Sequence, residues 1–241
     1  MPIYNPAYGS VVLLHHFNGS LQPEVGEGFA ADGGVAFSDV NARFGSSLSI
    51  GGTTPGGGGA NVVYSAADSA LYDLGAGDFT IEGWMWFNTL PTRPRTMIRI
   101  SDTADNSEYQ WVSDGFGPAH SFYFFVAAAA PGDQPLNPTG VGVVAGLWWH
   151  LALCRQGDLY RAFVNGIQRA AVTTSYRRQA GLKRVYIGNS RRSFVDAHDG
   201  MVDEILIARE CLYTGNFTPP SQPYASPWPA ACHAWPAGLM R

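Results

Sequence analysis

The stretch GMVDEILIARECLYTGNFTPPSQPY, residues 200–224, decides the reading of the fold. Its first third is a short apolar run broken by the acidic pair Asp203 and Glu204, the pattern of a buried strand. The remainder carries Gly215, Asn216, Pro219 and Pro220, which end a strand and fold the chain into a compact closing segment.

Working outward, strand signals recur at short intervals and no amphipathic helix of useful length appears. Strands are expected at 11–17, 35–37, 47–50, 61–64, 78–87, 96–100, 109–112, 120–127, 147–155, 159–164, 167–172, 185–188 and 201–208. Asn165-Gly166 between two of these is the strongest hairpin signal, because both residues tolerate the positive φ of a type I′ turn. In 78–87, Phe79, Ile81, Met85 and Phe87 alternate with Thr80, Glu82, Trp84 and Trp86. Large groups on both faces predict a central strand whose second face lies in a groove or against another subunit. GGTTPGGGG reads as a flexible loop, since the chain has no Gly-x-x-x-x-Gly-Lys-Ser/Thr phosphate cradle.

Five blocks in order carry a resemblance: FGSSLSIGG from Phe44, DFTIEGWMWF from Asp78, WWHLALCRQGDLYRAFVNGIQ from Trp148, VYIGN from Val185, and the closing stretch itself. Together they resemble laminin-G-like domains of the concanavalin A-like lectin/glucanase superfamily. That resemblance implies an all-β, two-sheet antiparallel jelly-roll sandwich at 10–224, flanked by an N-terminal arm at 1–9 and a Pro/Trp-rich arm at 225–241. The phrase LYTGNFTPP is similar to versions in bacteriophage and prophage structural proteins. It implies a virion localisation, with other virion subunits or the chain itself as partners in a homo-oligomer.

Composition agrees with a large β domain: 241 residues suffice for one full core, while 29 glycines and 16 prolines suit many tight turns. A net charge of −4 gives no general attraction to nucleic acid or an anionic membrane, and no apolar run reaches spanning length. MPIYNPAYGS lacks a basic start and an apolar h-region, as expected of a virion protein made in the host cytoplasm without a signal peptide. Cys154, Cys211 and Cys232 are odd in number and widely spaced, which fits neither a disulfide framework nor a C-x-x-C metal site.

Some members of the superfamily are glycosidases, and the resemblance implies Glu-x-Asp-x-Glu or Glu-x-Asp-x-x-Glu for that chemistry. Neither occurs around Glu24, Glu27, Glu82, Glu108, Glu204 or Glu210, so no paired carboxylates at retaining distance are expected and the chain reads as non-enzymatic. Many relatives hold a structural calcium ion through a last-strand carboxylate and backbone carbonyls. Asp203, Asn18 and Gly45 stand at those positions, though relatives often carry Asp where this chain has Asn18.

His15 and His16 are neighbours in a strand and so face opposite ways, which precludes joint chelation of one ion. Trp148, Trp149 and His150 read as packing. Trp111 is a candidate aromatic platform for a sugar ring. Arg177, Arg178, Arg184, Arg191 and Arg192 form a local basic patch suited to carboxylated or phosphated glycans or to an acidic subunit surface. Trp228 and Trp235, in an arm not needed to close the sandwich, are candidate subunit contacts. The leading expectation is a capsid decoration or accessory subunit; the alternatives are a carbohydrate-binding tail or surface module and a degenerate glycosidase.

Overall fold

The computed structural model describes residues 10–51, 61–90, 95–104, 106–113, 121–126, 134–136, 141–175, 180–189 and 197–225. In chain order the strands are β1 (Val11–His15), β2 (Phe29–Asp32), β3 (Val35–Ser38), β4 (Ser47–Ile50), β5 (Val62–Ser65), β6 (Phe79–Phe87), β7 (Arg95–Asp102), β8 (Ser107–Ser113), β9 (Phe122–Val126), β10 (Gln134–Leu136), β11 (Trp148–Gln156), β12 (Leu159–Val164), β13 (Ile167–Thr173), β14 (Lys183–Ile187) and β15 (Gly200–Ala208). One short 3₁₀ turn, Ala70–Tyr72, is capped by the Ser69 side chain.

Two antiparallel sheets form the sandwich. One runs β13-β12-β11-β6-β15-β4-β3, with β1 also on β15; the other runs β10-β9-β8-β7-β14-β5-β2. Their inner faces meet in a single core that includes Phe79, Ile81, Met85 and Phe87 of β6, Ile98 and Ile100 of β7, and Val185 and Ile187 of β14. β2 and β10 were not expected; FAAD and QPL are too short and too poor in β-branched residues to signal strands alone. The hairpin does form, with Asn165 and Gly166 at φ 49° and 75°. A Cβ on Gly166 would overlap the Phe217 carbonyl, so this glycine also lets the closing segment approach.

The second face of β6 corrects an expectation. It meets neither a groove nor another subunit over Thr80, Glu82 and Trp84, because the chain's own segment after β15 lies across it. Thr80 Oγ1 donates to the Glu210 carbonyl at 2.8 Å and accepts from Leu212 N–H at 2.9 Å. Phe217 packs edge-on to His150, and the Tyr224 hydroxyl lies 3.2 Å from His150 Nε2. Arg43 stacks over Trp84 at 3.8 Å and donates to the Pro220 carbonyl.

β15 changes partner along one edge. Gly200–Val202 pair with β4, Ile205–Ala208 pair with β1, and the register slips between Asp203 and Leu206 on the β6 side. Glu204 takes φ 51° at this bulge. Gly83 of β6 sits opposite, where a Cβ would strike Ile205 Cδ1.

The two arms, 1–9 and 226–241, lie outside the described residues, and with them Trp228 and Trp235.

Candidate functional site

The outer face of the seven-stranded sheet carries a row of side chains that chain order conceals. In β5, β7, β8 and β14 the core takes Val63, Ile98, Ile100, Tyr109, Trp111, Val185 and Ile187. Alternation therefore turns Tyr64, Arg99, Gln110 and Tyr186 the other way. The pairing registers place these four directly opposite one another: Tyr64 with Tyr186, Tyr186 with Arg99, and Arg99 with Gln110.

The row is aromatic at one end and polar at the other. The Tyr64 and Tyr186 rings are 6.3 Å apart with a 33° tilt, and the Arg99 guanidinium lies 5.5 Å from the Tyr186 centroid. Gln110 Nε2 donates to Thr96 Oγ1 at 2.7 Å, which fixes the amide orientation. Arg184, one strand alternation from Tyr186, reaches over Tyr64 at 5.8 Å and pairs with Asp68 at 2.8 Å. Arg99 is fully buried and Tyr186 is 8% exposed, although neither points into the core. Tyr64 and Gln110 are the half-buried members of the row, an aromatic ring and an oriented amide of the kind that stack on a sugar and hydrogen-bond its hydroxyls, with Arg99 enclosed between them.

Of the sequence candidates, Arg184 alone is placed on this face. Arg177, Arg178, Arg191 and Arg192 fall outside the described residues. Trp111 is corrected: it is 1% exposed, points into the core and packs edge-to-face on Phe124. β8 alternates with Tyr109 and Trp111 inward, so the ring has no face to offer a ligand. Tyr64, Tyr186, Arg99 and Gln110 were missed. Each strand alone shows one bulky polar residue between apolar ones, and only the register aligns them.

The expected calcium ligands are drawn together by hydrogen bonds. Asp203 is fully buried, and its carboxylate accepts from Phe44 N–H at 3.1 Å, the Ser47 hydroxyl at 2.7 Å and Glu204 N–H at 2.9 Å. Asn18 Oδ1 accepts from Ser46 N–H at 2.9 Å, and Gly45, at φ 62°, abuts that Asn18 amide. Hydrogen-bond donors therefore occupy both Asp203 carboxylate oxygens, so a calcium ion there would have to compete with Phe44 N–H, the Ser47 hydroxyl and Glu204 N–H. Burial raises the Asp203 pKa to about 7, against the lowering effect of its Ser47 and Phe44 hydrogen bonds. Among the described residues no cluster of three His, Cys, Asp or Glu side chains has metal-binding geometry.

No curated protein matches the chain significantly. Solved structures show the same fold at low identity. Domain 4 of AbnA, an extracellular arabinanase from Geobacillus stearothermophilus in complex with arabinotriose, aligns with TM-score 0.64 and 14% identity over 87% of this chain and 96% of that one. A pentraxin from Limulus polyphemus aligns with TM-score 0.54 and 11% identity over 70% and 77%. The binding domain of botulinum neurotoxin DC, in complex with SialylT, aligns with TM-score 0.62 and 13% identity over 86% of this chain and 49% of that one. A family model, Laminin_G_3, matches residues 56–214, and the chain thus belongs to the concanavalin A-like lectin/glucanases superfamily.

Proposed function

We propose that the chain is a non-catalytic carbohydrate-binding module whose glycan site is the outer face of the seven-stranded sheet. The observation that carries this reading is the cross-strand row Tyr64, Tyr186, Arg99 and Gln110. The Tyr64 ring supplies stacking surface at low entropy cost, the Gln110 amide supplies directional hydrogen bonding, and the enclosed Arg99 holds Tyr186 in place between them. Support comes from fold neighbours described with arabinotriose or SialylT bound. Glu82, the acidic residue of β6, is fully buried beneath the closing segment and 3.3 Å from His150, where it cannot reach a sugar. A virion setting, with particle subunits or further copies of the chain as partners, is proposed on the closing phrase LYTGNFTPP alone.

The test is a screen of neutral and acidic oligosaccharides, arabino-oligosaccharides and sialylated glycans included, followed by titration of the best ligand. Tyr64→Ala and Tyr186→Ala should each weaken binding by roughly tenfold or more, about 1.4 kcal/mol, while Trp86→Ala on the opposite sheet leaves it unchanged. Binding that survives both tyrosine changes in folded protein would overturn the site.

A further inference from the structure

A second feature lies on the other sheet, away from the glycan face. Cys154 of β11 is fully buried with its thiol on the side covered by the closing segment, where it clusters with Ala152, Phe163 and Tyr213. Cys211 belongs to that segment and packs against the same cluster, half-buried. Thr80 aligns them. It is the Cα partner of Cys154 across the β6–β11 ladder, and its Oγ1 lies 3.4 Å from Cys154 Sγ. The same oxygen holds the Glu210 carbonyl and the Leu212 N–H, so the peptide units on both sides of Cys211 are pinned above Thr80. The Cys211 thiol lies 3.5 Å from the Tyr213 carbonyl, packed against the cluster that holds the Cys154 thiol.

We propose that Cys154 and Cys211 are a reversible dithiol–disulfide pair, and that their disulfide locks the closing segment onto the eight-stranded sheet. The two thiols are unequal in the way such exchange requires. The Cys211 pKa is lowered, first by its contact with Cys154 and then by Arg161, whereas burial raises that of Cys154. Cys211 is the attacking group and Cys154 the resolving one. With a small disulfide such as oxidised glutathione as oxidant, the Cys211 thiolate attacks one sulfur and expels a glutathione thiolate. That thiolate is protonated, and Cys211 is left as a mixed disulfide. Cys154 then gives up its proton and attacks Cys211 Sγ, expelling the second glutathione as its thiol. The protein loses two hydrogens and the oxidant is reduced to two thiols. The bridge joins positions far apart in the chain, and in the unfolded ensemble it restricts a loop containing β12 to β15.

The test uses the full chain carrying Cys232→Ser, so that only the two thiols in question remain. Oxidised glutathione should yield a product lighter by two hydrogens and free of adduct, with Tm raised by roughly 5–10 °C and restored by dithiothreitol. Cys154→Ala in that background should stop at a glutathione adduct on Cys211 with no such rise. If Cys232→Ser does not fold, peptide mapping of the oxidised wild-type chain reads the same linkage. An adduct without the internal bridge, free thiols after treatment, or a bridge that leaves Tm unchanged would each overturn the proposal. Glycan titration in both redox states is an independent measurement, so failure here leaves the sugar-binding reading standing.

Discussion

The Glu204 carboxylate accepts a 2.7 Å hydrogen bond from the backbone N–H of Tyr224, while its other oxygen lies 2.6 Å from His16 Nδ1. One buried side chain on β15 thus holds both the strand β1 beside it and the end of the closing segment. It does so at the bulge where β15 changes partner. Asp203, one residue earlier, performs the equivalent task for the approach to β4 through Phe44 and Ser47.

Ending the chain after Ala225 should leave Tm nearly unchanged, whereas ending it before Tyr224 should not. Tyr224 is 7% exposed and packs with Val11, Leu14, Leu206 and Ala208. Losing that ring, its hydroxyl contact and its link to Glu204 should cost about 3–5 kcal/mol, read by denaturant unfolding. If the arm after Ala225 proves necessary for stability, it belongs to the core and is not a subunit contact.

Stability should fall as pH rises from about 6.5 to 9. Burial alone would lower the His16 pKa, but the hydrogen bonds and charges of Glu204 and Glu24 outweigh it and raise the value to about 9. The folded state therefore keeps a proton that the unfolded chain releases near 6.5, and the contribution is complete below that pH and lost as pH passes 9. His16→Gln should flatten this limb of the unfolding free energy against pH. An unchanged slope would assign the loss to other groups.

Asp203→Ala should destabilise the protein by about 3 kcal/mol, because Phe44 N–H, the Ser47 hydroxyl and Glu204 N–H all lose their acceptor. Melting curves of the wild-type chain with calcium and with chelator should coincide. A calcium-dependent rise erased by Asp203→Ala would restore the metal assignment.

No reducing ends should be released from a β-glucan panel. Steady release that Glu82→Gln abolishes would show that the closing segment opens and that the buried carboxylate works as a catalyst.

Much of the sandwich was legible in the chain because strand patterns are local. The two-faced run 78–87, the Asn165-Gly166 turn and the apolar last strand each announce themselves within a few residues. The short strands β2 and β10 did not, since their pairing comes from neighbours. Asp203 stands out in the sequence as an acidic residue within an apolar strand, but its chemistry depends on donors from Phe44 and Ser47, over 150 residues away in sequence. Trp111 failed for the opposite reason: inward and outward faces of a strand look alike until the partner sheet is placed. The cross-strand row on the seven-stranded sheet and the thiol pair are both products of register and coverage. Composition and most strand positions therefore followed from the sequence itself, while the two candidate sites arose only when hydrogen-bonded strands set Tyr64, Tyr186, Arg99 and Gln110 side by side and the closing segment packed Cys211 against the cluster of Cys154.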